Sequence, residues 1–154
     1  ATGNTFKLAV DANNAYDFND ALRMARFCEK ENLFFFEEPL SSEFMEDSKR
    51  LADAVDVPIA GYETQLTRYG MRDFITEHAV DIVQVDAIWS GGFTECRKTA
   101  VLASTWNKNI IPHFSVLHPW AHDGFSGIPA LLPPHKLRFR SLSFSHRSWD
   151  PPTW

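Results

Sequence analysis

The sequence predicts an α/β fold, a run of βα units around a parallel sheet. Three observations predict it. Five short apolar runs, FKLAVD, LFFFE, PIAGYE, DIVQVD and NIIPH, recur along the chain, and each closes on an ionisable residue: Asp11, Glu37, Glu63, Asp86 and His113. The intervals between these residues are 26, 26, 23 and 27, close to the roughly 25–30 residues of a strand, a crossover helix and the return to a parallel neighbour. Each of the first four runs leads through a polar turn into a segment of helical periodicity. Side chains that close successive parallel strands converge on one mouth, and in a barrel that face carries the chemistry.

The first unit runs from Phe6 to about Asn32. Leu8 and Val10 alternate with Lys7 and Ala9 before the turn DANNAYDFND. Asp17 or Asn19 is expected to cap the helix, since both types accept hydrogen bonds from free backbone N–H groups. Phe18, Ala21, Leu22, Ala25 and Cys28 form a helical stripe facing the sheet. In the second unit, LFFFEEPL is apolar without alternation, as suits a strand buried on both faces. Ser41 or Ser42 is the expected cap of a helix through about Val55. The third unit opens at Val57-Pro58, with proline at the strand entrance, where it interrupts no ladder. Its helix is expected near Thr67–His78, with Phe74 and Ile75 inward. The fourth strand passes through Gly91-Gly92, a tight-turn pair with no phosphate-binding motif before it, into a helix ending near Trp106. The fifth strand, Asn109–His113, leads into the loop FSVLHPWAHDGFSG, with a short helix expected near Ile128–Leu132. LRFR at 137–140 is the expected sixth strand. Residues 1–140 thus read as the barrel portion and 141–154 as an irregular tail, with its double proline.

Composition sets the outer bounds. A chain of 154 residues, 44% hydrophobic and 23% charged, can hold one domain with a real core. A net charge of -5 and a pI near 5.6 argue against nucleic acid or an acidic membrane surface as partner. No apolar run approaches the ~20 residues of a membrane span, and no signal-peptide pattern opens the chain. Cys28 and Cys96 fall on helical segments and are expected as buried thiols in a reducing cytoplasm. Six strands at most can be counted, whereas a closed barrel has eight and takes about 250 residues. The expectation is therefore the later part of a longer protein, lacking strands before Phe6.

VDANNAY, FFEEPL, GYET, VDAIWSGG and IPHF, in this order, resemble the enolase superfamily in its mandelate racemase/muconate lactonizing enzyme-like subgroup. The resemblance covers roughly residues 5–115 and lies in the set, since EEP or GG alone occurs in many unrelated chains. It implies a (β/α)7β TIM-type barrel, here about strands 3 to 8, beneath a separate capping domain. It implies Asp11, Glu37 and Glu63 as Mg²⁺ ligands. It implies Asp86 and His113 as a dyad with His113 the base.

Residue chemistry agrees. Mg²⁺ takes oxygen ligands in octahedral geometry, and three carboxylates from neighbouring strands would leave places for water and a substrate carboxylate. A cation on that carboxylate acidifies the adjacent C–H by stabilising the enediolate. Histidine is suited to take the proton near neutral pH, with Asp86 orienting it. A lone acid at a strand end is more often a cap or turn residue, and a lone histidine more often structural. Regular spacing on consecutive strands favours the site. Glu38 alternates to the other face of its strand and is expected as a structural or outer group. Asn13 shares the period of Asp11, so it is a candidate substrate contact, with a turn role equally open. His118 and His122, beside Trp120, are either substrate contacts or solvated loop residues.

The subgroup often carries a second-strand lysine, which would precede residue 1. Some members carry an eighth-strand glutamate; Arg138 stands in the corresponding place and is a candidate substrate contact. The expected function is Mg²⁺-dependent abstraction of the α-proton of a small carboxylate, a sugar acid or another α-hydroxy acid, leading to dehydration. The alternatives are racemisation or epimerisation, or a catalytically incomplete fragment that binds metal and self-associates as a homo-oligomer.

Overall fold

The computed structural model of the chain describes residues 6–113 and 141–143. His118, His122, Arg138, the expected helix near 128–132 and the expected strand at 137–140 lie outside the described residues. Strands β1 (Ala9–Asp11), β2 (Phe36–Glu37), β3 (Ile59–Gly61), β4 (Ile82–Val83), β5 (Asn109–Ile110) and β6 (Ser141–Ser143) form one sheet in the order β5-β4-β3-β2-β1-β6. Every pairing is parallel. Helices α1 (Phe18–Lys30), α2 (Met45–Ala54), α3 (Thr67–Thr76) and α4 (Phe93–Thr105) are the crossovers between successive strands from β1 to β5, and they pack side by side in chain order. The fold is α/β, and this succession is that of a (β/α) barrel wall. Among the described residues no helix is long and apolar enough to cross a membrane.

The helices form where the apolar stripes lie. In α1, Ala21, Ala25 and Cys28 are buried, and Asp17 caps the helix by accepting the N–H of Asp20 at 2.9 Å. In α3, Met71, Phe74 and Ile75 are buried. Gly92 precedes α4 with φ +102, a left-handed conformation that favours glycine. Cys28 and Cys96 are free and buried.

Two expectations are corrected. Neither Ser41 nor Ser42 caps α2, which begins later, after Phe44, without a side-chain cap. Ser41 closes the preceding turn instead: its carbonyl accepts Phe44 N–H at 3.1 Å and its hydroxyl accepts Glu43 N–H at 3.3 Å. Serine competes for local backbone donors in turns as readily as at helix starts, so the local sequence suits both. The tail, expected irregular from Ser141, opens with β6, whose residues pair with Ala9, Val10 and Asp11. An unpaired edge on β1 would leave backbone groups without partners, and Ser-Leu-Ser has the period of two that a strand needs.

Two large clusters fill the space between sheet and helices. Phe36, Leu51, Val57 and Ile59 join α1 and α2 to the sheet; Tyr62, Phe74, Ile75, Val83 and Ile110 do so for α3 and α4. Within the second, Tyr62 Oη donates to Ser48 Oγ at 2.7 Å, and both residues are fully buried. Ser48 Oγ donates in turn to the Phe44 carbonyl at 3.4 Å. Ser48→Ala would strand the phenol O–H in an apolar setting and is expected to cost about 1–3 kcal/mol. Tyr62→Phe should cost less, because Ser48 keeps the Phe44 carbonyl. Urea midpoints at unchanged m-value measure both; a wild-type midpoint for Ser48→Ala would show that the pair contributes nothing.

Candidate active site

Alternation along the strands sorts the side chains. Val10, Phe36, Ile59, Val83, Val85 and Ile110 pack toward the helices. Ala9, Phe35, Ala60, Ile82 and Ile111 pack together on the opposite face. Asp11 shares the period of Ala9, Glu37 that of Phe35, Asp86 that of Ile82 and His113 that of Ile111, so these four continue the second face to the carboxyl ends of the strands. Glu63 reaches it by a break in the alternation. Gly61 has φ +146, and Tyr62 beyond it is packed on the helix side. A Cβ at Gly61 would also lie 3.0 Å from Glu38 Cγ, so glycine is required there twice over.

The dyad is assembled. Asp86 is fully buried, and its Oδ2 lies 3.0 Å from His113 Nδ1. Its Oδ1 accepts the N–H groups of Ile88 at 2.6 Å and Trp89 at 3.1 Å. The His113 backbone is held in turn, its N–H donating to Val85 O at 3.0 Å. The other ring nitrogen, Nε2, is 2.6 Å from Glu63 Oε2. Burial pulls the imidazole toward its neutral form, but Glu63 and then Asp86 favour the charged form, and together they raise its pKa to about 9.

The three candidate ligands stand on adjacent strands. Asp11 and Glu37 are level in the ladder, and Asp11 Oδ1 accepts the Asn13 N–H at 2.8 Å. Burial raises the Asp11 carboxyl above its usual range, against that hydrogen bond and with Glu63 adding to the rise. Glu37 is pushed up to about 7, first by burial; the carboxylates of Asp11 and Glu63 add to this, while a hydrogen bond from Gln84 opposes it. Among the described residues, no three histidine, cysteine, aspartate or glutamate side chains are gathered closely enough, as they stand, to hold a metal ion; Glu63 is turned to His113. The donor set nevertheless fits a hard divalent cation. All three groups are carboxylates; the charge of Glu63 raises the pKa of Asp11, and those of Asp11 and Glu63 raise that of Glu37, a repulsion that a cation among them would offset.

Glu38 does not simply alternate away. With φ +40 it stays at the end of the sheet, buried, accepting from Asn14 Nδ2 at 2.7 Å and from Glu63 N–H at 3.1 Å. Its carboxyl is pushed up to about 7 by burial and then by Glu63, Asp11 and Glu37. The period that pairs Asn13 with Asp11 ends with β1: Asn13 is exposed at φ +47, and Asn14 is the residue that turns inward. Asn14 and Gln84 are participants that the sequence does not single out. Gln84 shares the period of Asp86, a signal that could have found it; Asn14 carries no signal beyond turn chemistry. Both keep a buried side-chain oxygen with no hydrogen-bond partner, Oδ1 of Asn14 and Oε1 of Gln84.

The sequence profile of a family described as enolase C-terminal domain-like matches residues 1–126. The chain belongs to that family. This enolase-type chain is 46% identical over 113 residues to an arabinonate dehydratase of Saccharolobus solfataricus, covering 73% of this chain and 30% of the relative. It is 35% identical over 113 residues to a D-galactarolactone cycloisomerase of Agrobacterium fabrum, with the same 73% and 30% coverage. Among solved structures, the L-talarate/galactarate dehydratase of Salmonella typhimurium, liganded with Mg and L-lyxarohydroxamate, superposes with a TM-score of 0.70 at 38% identity, over 73% of this chain and 29% of that one. The enolase-type chain thus spans about 30% of the length of these relatives.

The raised pKa values fix the pH dependence of the metal-free protein. A carboxyl at about 7 when folded, against 4.5 otherwise, favours the folded state fully below 4.5 and loses that contribution as pH climbs through 7. His113, at about 9 against 6.5, contributes fully below 6.5 and loses that contribution as pH climbs through 9. All three act in the same direction. The urea midpoint without Mg²⁺ should therefore fall between pH 5 and pH 9. The gap between wild type and His113→Asn should narrow across the upper half of that range. A midpoint that rises with pH would contradict the described pairing.

Proposed function

We propose that this chain carries the base and metal site of a Mg²⁺-dependent acid-sugar dehydratase. One observation carries the proposal. His113, held by buried Asp86, faces a layer of carboxylates at the ends of the neighbouring parallel strands. The relatives named as arabinonate and L-talarate/galactarate dehydratases, the latter liganded with Mg, support the substrate class and the cation.

Asp11, Glu37 and Glu63 would hold the cation. Bound there, Mg²⁺ would supply positive charge beside a substrate carboxylate and so acidify its α-C–H. The chain's own residues do the rest. His113 Nε2 takes the α-proton, and Asp86 Oδ2 accepts from Nδ1–H, fixing the ring and favouring the imidazolium. The protonated ring then delivers its proton to the departing β-hydroxyl, which leaves as water. The 2.6 Å contact between His113 Nε2 and Glu63 Oε2 must open for this, because it occupies both the base and a ligand. Isomerisation of a related acid begins with the same proton abstraction, and the similarity to a cycloisomerase favours it as the second reading. A cytoplasmic setting accords with two free buried thiols, and self-association is part of the proposal, since among the described residues β5 stands at the edge of the sheet.

Calorimetric titration with Mg²⁺ tests the metal site: Glu37→Gln and Glu63→Gln should each weaken binding by roughly tenfold or more, and unchanged affinity in both would remove the assignment. For the base, His113→Asn should abolish exchange of the α-hydrogen of sugar acids in D₂O, followed by NMR, while leaving Mg²⁺ binding intact. Full exchange in that variant would mean that another group takes the proton.

A further inference from the structure

We infer that Glu38 is a positioning residue, a clamp that fixes the spacing of the three ligand-bearing strand ends without itself ligating. The inference rests on the proposal that Asp11, Glu37 and Glu63 hold the cation. Four contacts carry it. Glu38 Oε1 accepts the backbone N–H of Glu63 at 3.1 Å, beyond β3. Glu38 Oε2 accepts Asn14 Nδ2 at 2.7 Å, from the turn after β1. The Glu38 carbonyl accepts Asn14 N–H at 2.7 Å, and the Glu38 N–H donates to Ala60 O at 2.9 Å. One residue of β2's end therefore binds both flanking strand ends, through side chain and backbone together.

The surroundings are built to admit it. Gly61 leaves open the space that the Glu38 stem passes through; a Cβ there would stand 3.0 Å from Glu38 Cγ. Asn13 and Asn14 both lie in the left-handed region, at φ +47 and +60, and this turn brings the Asn14 amide back over the sheet. Both Glu38 oxygens are engaged by donors and the residue is 2% exposed, so it is poorly placed to ligate. Partners that orient metal ligands contribute through geometry, and their loss typically weakens metal affinity 10–100-fold.

A clamp and a mere negative charge predict different results. Glu38→Gln keeps an oxygen for the Glu63 N–H and puts an amide N–H₂ against Asn14. Rotating the Asn14 amide would bring its unpartnered Oδ1 to accept from it. The test is calorimetric titration of the chain with Mg²⁺, alongside thermal melts without metal. Glu38→Ala should weaken binding roughly 10–100-fold, and Glu38→Gln should stay within about threefold of wild type. Wild-type affinity in Glu38→Ala would overturn the clamp, as would a loss in Glu38→Gln equal to that in Glu38→Ala, which would assign the effect to charge. If Glu38→Ala does not fold, Asn14→Gly removes one arm while keeping every carboxylate and the left-handed turn. It should bind Mg²⁺ several-fold more weakly, and unchanged affinity there would also overturn the inference. No binding by the wild type would sink the metal site itself, whereas wild-type binding with unaffected variants would sink only the clamp.

Discussion

Four carboxyl groups, Asp11, Glu37, Glu38 and Glu63, are held near one another, and burial already disfavours charge on the first three. Two unit charges 4 Å apart repel by about 4 kcal/mol at an effective dielectric of 20, so such a group disperses unless its backbone is fixed. The parallel ladder fixes it. Ala12 N–H donates to Glu37 O at 2.9 Å, Glu38 N–H to Ala60 O at 2.9 Å, Gln84 N–H to Gly61 O at 2.8 Å and His113 N–H to Val85 O at 3.0 Å. These bonds lie at or just past the ends of the regular strands, where the functional side chains are. The chain continues its pairing to the point where the chemistry begins.

The two faces of the sheet divide the work. The helix side carries Phe36, Ile59, Tyr62, Phe74, Ile75 and Val83 and supplies most of the apolar burial. The other face carries a thinner cluster with Ala9 and Ala60 among Phe35 and Ile82. Stability invested on the helix side lets the mouth retain features that would be unfavourable elsewhere. These include raised carboxyls, left-handed backbone at Asn13, Asn14 and Glu38, and buried amide oxygens without partners.

What was legible in the sequence follows from the same physics. A βα unit has a nearly fixed length, so the spacing of Asp11, Glu37, Glu63, Asp86 and His113 exposes the parallel strands and the residues at their ends. Period two places Asp11, Glu37, Asp86 and His113 correctly, because each continues an unbroken alternation. It fails where the backbone leaves the extended region. Glu63 comes to the mouth only through the turn in direction at Gly61, and Asn13 leaves it through its left-handed turn. Glu38 fails the same way, and Ser41 is ambiguous because a serine can close a turn or start a helix. The contacts of Asn14 and Gln84 join separate strands, and no local pattern encodes which strands meet.

Glu37 and Glu38 are the same residue type at adjacent positions, yet the structure separates their roles by who donates to them. A carboxylate has about four lone-pair directions to fill. Glu38 fills both oxygens from within the protein, with a side-chain amide on one and a backbone N–H on the other. Glu37 receives a side-chain hydrogen bond from Gln84 and otherwise faces two more carboxylates, neither of which can donate while ionised. Among the described residues, its remaining lone pairs have no further donor. A cation is what such a group lacks, whereas a cation drawn to Glu38 would have to displace hydrogen bonds that hold two strand ends in place. The assignment of ligand and clamp therefore follows from satisfied and unsatisfied acceptors, and would be reversed if the donors were.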